Sequence, residues 1–258
     1  MIELRSPNVE VRLDEIGARI AQISTSLCRN LLLERASRGQ HKDPETFDSW
    51  NATYLGGWDL LLPSVGDIHP RVVAKRHYHG EASRRIWDVV EARSSSALLV
   101  CRLRSIPLEV WRRVNVINGE VIVSTSITNT SDGDVEFHFC EHIAFDARFA
   151  ASPVSVAAEL VDSGTASTYR SIRIAAASGV AQIGLDVGVA AEVRWNPREV
   201  AACVLWRELN SAQAPWFGSL RTVAIEPGSF DPANTTVVLL NSGASLKYEV
   251  NLSVIADR

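Results

Sequence analysis

The run RRVNVINGEVIVSTSITN, residues 112–129, constrains the fold more than any other part of the chain. Two segments with apolar side chains at every second position meet at Asn118-Gly119. That dipeptide favours a two-residue hairpin turn, because both positions tolerate positive φ. A chain committed to such a hairpin must bury one face of a two-residue period, and the rest of the sequence keeps the same rhythm. VEVRL, ARIAQIST and NLLLER precede the hairpin. After a turn at residues 130–134, VEFHFCEHIAF is expected to return as one strand. SIRIAA, AQIGLDV, AEVRW, AACVLWREL, TVAIEP, TTVVLLN and LKYEVNLSVI follow, parted by Gly, Pro, Asn or Ser.

Only the stretch from Pro44 to Tyr54 reads as a short helix, and no helical period is long enough to join parallel strands. The expectation is an all-β fold, a large antiparallel β-sandwich or barrel. No repeat or linker divides the 258 residues, so 1–258 is read as a single domain. A net charge of −4 with no basic run longer than two residues argues against nucleic acid and anionic membranes as partners. The N-terminus MIELRSPNVEVRLDE is charged where a signal peptide is apolar, and no window suits a membrane span, so a cytoplasmic location is expected. Cys28, Cys101, Cys140 and Cys203 form no C-x-x-C pair and are expected to be buried free thiols. Oligomeric state is not readable.

Three places concentrate polar groups that are costly beside a core. They are Arg76-His-Tyr-His79-Gly-Glu81, His138-Phe-Cys-Glu-His142, and Glu226 at the end of an apolar run. Read as strand, His77 and His79 share a face, as do His138, Cys140 and His142. His41 and His69 stand in loop-like surroundings and are read as structural. An H-x-H followed by a glutamate in an all-β chain raises a cupin-like metal site, but the spacing of Glu81 fits it poorly and no metal site is assigned. One carboxylate as base with one or two imidazoles as acids fits better, and with ordinary pKa values such a set works near neutrality. Pro227-Gly228 is expected to end the Glu226 strand at a pocket.

These motifs, in this order, resemble the aldose 1-epimerases, or galactose mutarotases. Gly56-Gly57-Trp58 with Pro63 resembles the family's Gly-Gly-aromatic loop, His79-Gly80 its His-Gly element, and His142-Ile-Ala-Phe145 its His-x-x-Phe. Ala224-Ile-Glu226-Pro227 before the last strands is similar to its closing segment. The resemblance implies a β-supersandwich and a sugar mutarotase without metal or other cofactor. It implies Glu226 as general base, His142 as general acid on the ring oxygen, and His79 as a second histidine there. Trp58 and Trp206 are expected to stack on the sugar, as Trp216 could, with Asp59, Arg71 and His77 as its polar partners. The family's sugar-binding arginine has no clear equivalent; His77 stands for an asparagine and Glu81 for a glycine. A basic group at Arg71, Lys75, Arg76, Arg84 and Arg85 leaves phosphorylated or acidic sugars open as substrates. A non-catalytic carbohydrate-binding protein of the same fold, an epimerase-like enzyme recruited to another proton-transfer reaction and a metal-binding cupin-like enzyme are the other readings.

Overall fold

The computed structural model describes residues 1–36, 50–51, 53–67, 70, 77–157, 159–164, 170–175, 178–212, 216–229 and 237–256. These residues form nineteen strands. The first eight are β1 (Ile2–Ser6), β2 (Val9–Asp14), β3 (Arg19–Thr25), β4 (Trp58–Leu61), β5 (Asp88–Ala92), β6 (Ser96–Arg102), β7 (Leu108–Ile117) and β8 (Glu120–Asn129). Next come β9 (Val135–Phe137), β10 (Cys140–Phe145), β11 (Val154–Val156), β12 (Glu159–Asp162), β13 (Arg170–Ala175) and β14 (Val180–Asp186). The series closes with β15 (Val189–Trp195), β16 (Ala202–Leu209), β17 (Arg221–Gly228), β18 (Val238–Leu240) and β19 (Ser245–Ala256).

Two large sheets result. One runs β1-β2-β3-β4-β10-β17-β16-β13 and the other β12-β11-β14-β15-β19-β8-β7-β6-β5, with β18 and β9 paired apart. The pairings between these strands are antiparallel, as expected from the sequence. β7 and β8 are the hairpin read at Asn118-Gly119, and both turn residues take positive φ, 52° and 86°. Burial alternates along both strands, so Leu108, Val110, Val114 and Val116 face inward with Val121, Val123 and Ile127. One large apolar cluster draws on both sheets and forms the sandwich core.

The central strands of the first sheet break this alternation. β4, β10 and most of β16 and β17 are buried on every residue, because their second face is covered as well. A smaller cluster of Leu33, Trp50, Tyr54, Trp206, Trp216 and Leu220 lies on that second face.

Four local expectations need correction. VEFHFCEHIAF is not one strand: β9 pairs with β18, and the chain breaks at residues 138–139 before β10 enters the first sheet. NLLLER contributes only a single bridge, Leu32 to Phe145. Trp58 opens a strand rather than sitting in a loop. Pro227 does not end β17, which continues to Gly228 opposite Ala202 and Cys140. Of the expected helix, residues 44–49 and 52 lie outside the described residues, and Tyr54 N–H donates to Trp50 O at 2.9 Å. All four cysteines are buried and free.

Candidate active site

Strand register assembles the site. Asp59 of β4 pairs with His142 of β10, and the β10–β17 register sets His142 beside Glu226, which in turn pairs with Val204 of β16. Side chains alternate, so Asp59, His142 and Glu226 line up on the second face of the first sheet, away from the sandwich core. His142 Nε2 lies 3.4 Å from Glu226 Oε1. Cys140, two residues before His142 on the same face, directs its thiol at Glu226 Oε2 at 3.8 Å.

His79 arrives from a turn, not from a strand, so it shares no strand face with His77. Gly80 N–H donates to His77 O, and His79 and Gly80 both take positive φ, 61° and 71°. Glycine is required at position 80, where a Cβ would come within 2.2 Å of Leu62 O. Glu81 N–H and Ala82 N–H both bond Leu62 O, which ties the turn to the end of β4. The Glu81 carboxylate accepts from the backbone N–H groups of Arg104 and Ser105 and from the Ser105 hydroxyl. It therefore anchors the histidine turn to the β6–β7 connection, and no group of three His, Cys, Asp or Glu side chains among the described residues is arranged to hold a metal ion. The His79 ring lies 6.2 Å from that of His142, centroid to centroid. Its Nδ1 accepts from Gly66 N–H at 3.0 Å, which leaves the proton of the neutral ring on Nε2.

Aromatic rings surround these groups. Trp206 stands 5.7 Å from His142, Trp216 5.8 Å from Trp206, and Trp50 4.6 Å from His79. Trp206 Nε1 is buried without an acceptor among the described residues. The Arg35 guanidinium lies over the rings of Tyr54 and Trp216, at 5.7 and 5.4 Å, and bonds Asn51. Tyr54 Oη is 3.4 Å from His142 Nδ1.

Of the residues expected from the sequence, Glu226, His142, His79, Asp59 and Trp206 are brought together. Trp58 is not. Its parity on β4 turns it into the sandwich core, where it is fully buried and donates to Glu141 Oε2 at 2.7 Å, so it cannot stack on a ligand at this site. His77 is buried at the start of the turn with Nδ1 unpartnered among the described residues, and no ring contact links it to His79 or His142. His138 lies in the β9–β10 connection, its N–H on Pro63 O. Arg71, Lys75, Arg76, His41 and His69 lie outside the described residues. The sequence reading missed Tyr54 and Trp50, in the stretch expected as a short helix, and Arg35, at the end of NLLLER, none of which belongs to a motif.

Burial also changes the protonation expected from ordinary pKa values. Loss of solvent pushes Glu226 up to about 8, with the Cys140 thiol pulling weakly the other way, and pushes His142 down to about 4. Burial, then the neighbouring His142 and Arg84, hold His79 well below the usual imidazole range. Asp59 is raised to about 6 by burial, against the pull of Arg19 and Arg84.

A stability test follows from Glu226. Its folded pKa lies above its unfolded value, so the folded chain keeps a proton that the unfolded chain releases, and stability falls as pH rises from about 4.5 to 8. His142, depressed in the fold, acts in the other direction and costs stability as pH falls from about 6.5 to 4. Calorimetry should therefore show the native Tm declining towards pH 8 relative to Glu226→Gln, which lacks the titration. Parallel Tm curves would mean that Glu226 titrates normally.

No protein-family profile matches the chain, and no curated protein does. Solved structures do. A candidate aldose 1-epimerase of Escherichia coli superposes with a TM-score of 0.75 at 16% identity, covering 99% of this chain and 98% of that one. A galactose mutarotase-like protein of Lactobacillus casei gives 0.72 at 13%, covering 98% and 99%. A galactose mutarotase-related enzyme of Lactobacillus acidophilus gives 0.68 at 13%, covering 99% and 97%. Likeness at this identity establishes the galactose mutarotase-like fold over essentially the whole chain, and a fold by itself does not fix an activity.

Proposed function

We propose that the chain is an aldose 1-epimerase, exchanging the α and β anomers of an aldose by acid–base ring opening. The observation that carries this reading is the buried His142–Glu226 pair on adjacent strands, 3.4 Å apart within a wall of tryptophans. The anomeric hydroxyl oxygen and the ring oxygen of an aldose are attached to one carbon, so a base and an acid that serve both must stand close together. The names of the structural neighbours support the same assignment.

In ring opening, the Glu226 carboxylate takes the proton of the O1 hydroxyl. The C1–O5 bond breaks as the C1–O1 double bond forms, and the His142 imidazolium gives its proton to O5. Rotation about C1–C2 turns the other face of the aldehyde to the O5 hydroxyl. Closure then returns the O5 proton to His142 and the Glu226 proton to O1. His79, neutral with Nε2–H, donates a hydrogen bond to O5 and steadies the charge that develops there.

One proton shared by the pair serves both directions. With Glu226 at about 8 and His142 at about 4, the resting pair is neutral, with the proton on the carboxyl. That is the state that closes rings. Its tautomer, with carboxylate and imidazolium, opens them.

Trp206 and Trp216 offer flat apolar faces for the sugar's C–H surface, and the unpartnered Trp206 Nε1–H is a donor that a sugar hydroxyl would satisfy. Arg35, held over the Tyr54 and Trp216 rings, is our choice for the cation at the sugar. NMR exchange spectroscopy over a panel of neutral, deoxy, phosphorylated and acidic aldoses tests the assignment. Faster exchange between anomer signals of at least one aldose is expected. Sugar binding without accelerated exchange on any of them would favour a non-catalytic binder instead.

A further inference from the structure

His142 has a rear side that the reaction just described does not use. Its Nδ1 faces Tyr54 Oη at 3.4 Å, and Tyr54 together with Asp59 lines a small pocket of about 30 Å³ with Thr53, Ser83, Arg19 and Arg84. The volume suffices for one or two water molecules. Asp59 is buried, stands directly across the β4–β10 pairing from His142, and has Oδ1 without a hydrogen-bond partner among the described residues. The arginines of the pocket are engaged elsewhere: Arg19 with Asp14 and Gly56 O, Arg84 with the Thr53 hydroxyl.

Hydrogen-bond valence decides what this arrangement can do. An imidazolium carries a proton on each nitrogen and can only donate. When His142 is the acid, Nε2–H faces the substrate and Nδ1–H must find an acceptor, which here is Tyr54 Oη. The Tyr54 hydroxyl proton then has to turn away from the ring, towards the pocket that holds the unpartnered Asp59 oxygen. Once Nε2 has given its proton to O5, the neutral ring keeps Nδ1–H on Tyr54 Oη, and Nε2 is left free to take the proton back. Burial, then the charges of Asp59 and Glu226, hold the Tyr54 pKa well above its ordinary value, so the hydroxyl keeps its proton throughout.

We infer that Tyr54 and Asp59 are positioning residues of a rear relay that stabilises the imidazolium form of His142 and holds its neutral form in the Nδ1–H tautomer, with the tyrosine hydroxyl turned towards Asp59 throughout. This inference rests on the proposed acid–base reaction and extends it to two residues that would touch His142 or its neighbour rather than the sugar. It also gives Asp59 a role different from the direct sugar contact expected from the sequence. The charged and titratable groups around His142 are Glu226 on β17, His79 on the 77–80 turn, Asp59 on β4, Tyr54 on the 50–54 segment and Cys140 on its own strand, with Arg19, Arg35 and Arg84 farther out.

Tyr54→Phe, Asp59→Asn and the double variant test the relay in the full chain. Kinetically, Tyr54→Phe should lower kcat by about 10–100-fold, the loss of one hydrogen bond to a charged group, with KM near the native value. Asp59→Asn should lower kcat less, and the double variant should be no slower than Tyr54→Phe, since both act on one path. Independently of turnover, ¹⁵N imidazole NMR of His142, assigned by the signal lost in His142→Asn, should show neutral His142 protonated at Nδ1 near pH 7 and shifted towards the Nε2–H tautomer in both single variants, and its titration midpoint should move to lower pH in Tyr54→Phe. Raised KM with unchanged kcat would place these side chains on the sugar and overturn the relay, as would an unmoved His142 titration. Should Tyr54→Phe fail to fold, Asp59→Asn alone gives the kcat and tautomer readings. Failure of the native protein to exchange any anomer would overturn the functional assignment while leaving the NMR result to decide the relay.

Discussion

Glu226→Gln is expected to slow catalysed anomer exchange by about 10²–10⁴-fold, the range that one positioned proton-transfer group contributes. Glutamine keeps the shape and can still accept from the Cys140 thiol at the position now 3.8 Å away, so packing should be preserved. What disappears is the site that receives the O1 proton. KM should change little, because the amide can still bond the anomeric hydroxyl, and the loss should therefore appear in kcat. The native pH profile sharpens the test. The pair carries one shared proton between the steps near 4 and 8, so kcat/KM should be level across that span and fall on both sides of it. Ordinary carboxylate and imidazole values would instead confine activity to a narrow band between about 4.3 and 6.5. A profile that declines already above pH 6.5 would mean that the pair titrates at ordinary values, and a Glu226→Gln variant as fast as the native protein would remove Glu226 from the role of base.

The second large effect lies directly behind the site. Glu141, between Cys140 and His142 on β10, points into the sandwich core and is wholly buried. Arg112 of β7 meets it with two hydrogen bonds of 2.7 and 2.9 Å, Tyr248 of β19 adds one of 2.9 Å, Thr125 of β8 one of 3.3 Å, and Trp58 of β4 one of 2.7 Å. The network joins the two sheets at the level of His142. Arg112→Met would leave the carboxylate buried with its charge unpaired, a change worth about 3–5 kcal/mol. For a chain of this length that corresponds to a Tm lower by roughly 10 °C. The double variant Arg112→Met/Glu141→Gln should recover much of the loss, because the buried charge goes with its partner. If Arg112→Met melts where the native protein does, the ion pair does not hold the sheets together.

The sequence made some of this network visible and hid the rest. Arg112 occupies an inward position in a strand that otherwise alternates Leu108, Val110, Val114 and Val116, and an arginine there requires a buried anion. Glu141 could be matched to it only once the other sheet was in place. Trp58 shows the same limit. The Gly56-Gly57 pair obscures the start of β4, and on a strand the choice between core and site is a matter of one residue of register. Asp59 fell on the site side and Trp58 on the core side.

The sequence by itself determined the period of two, the hairpin at Asn118-Gly119 and the polar residues too costly to place near a core without partners: His79, His142 and Glu226. These are local properties, set by side-chain alternation, turn stereochemistry and the desolvation of charge, and each can be read within a few residues. The tertiary structure decided which of them meet. The contact between His142 and Glu226, the tyrosine behind the imidazole and the displaced pKa values all arise from groups distant in the chain, packed by strand register into a buried space. That register follows from the burial of two whole sheets at once, which no short stretch of sequence encodes.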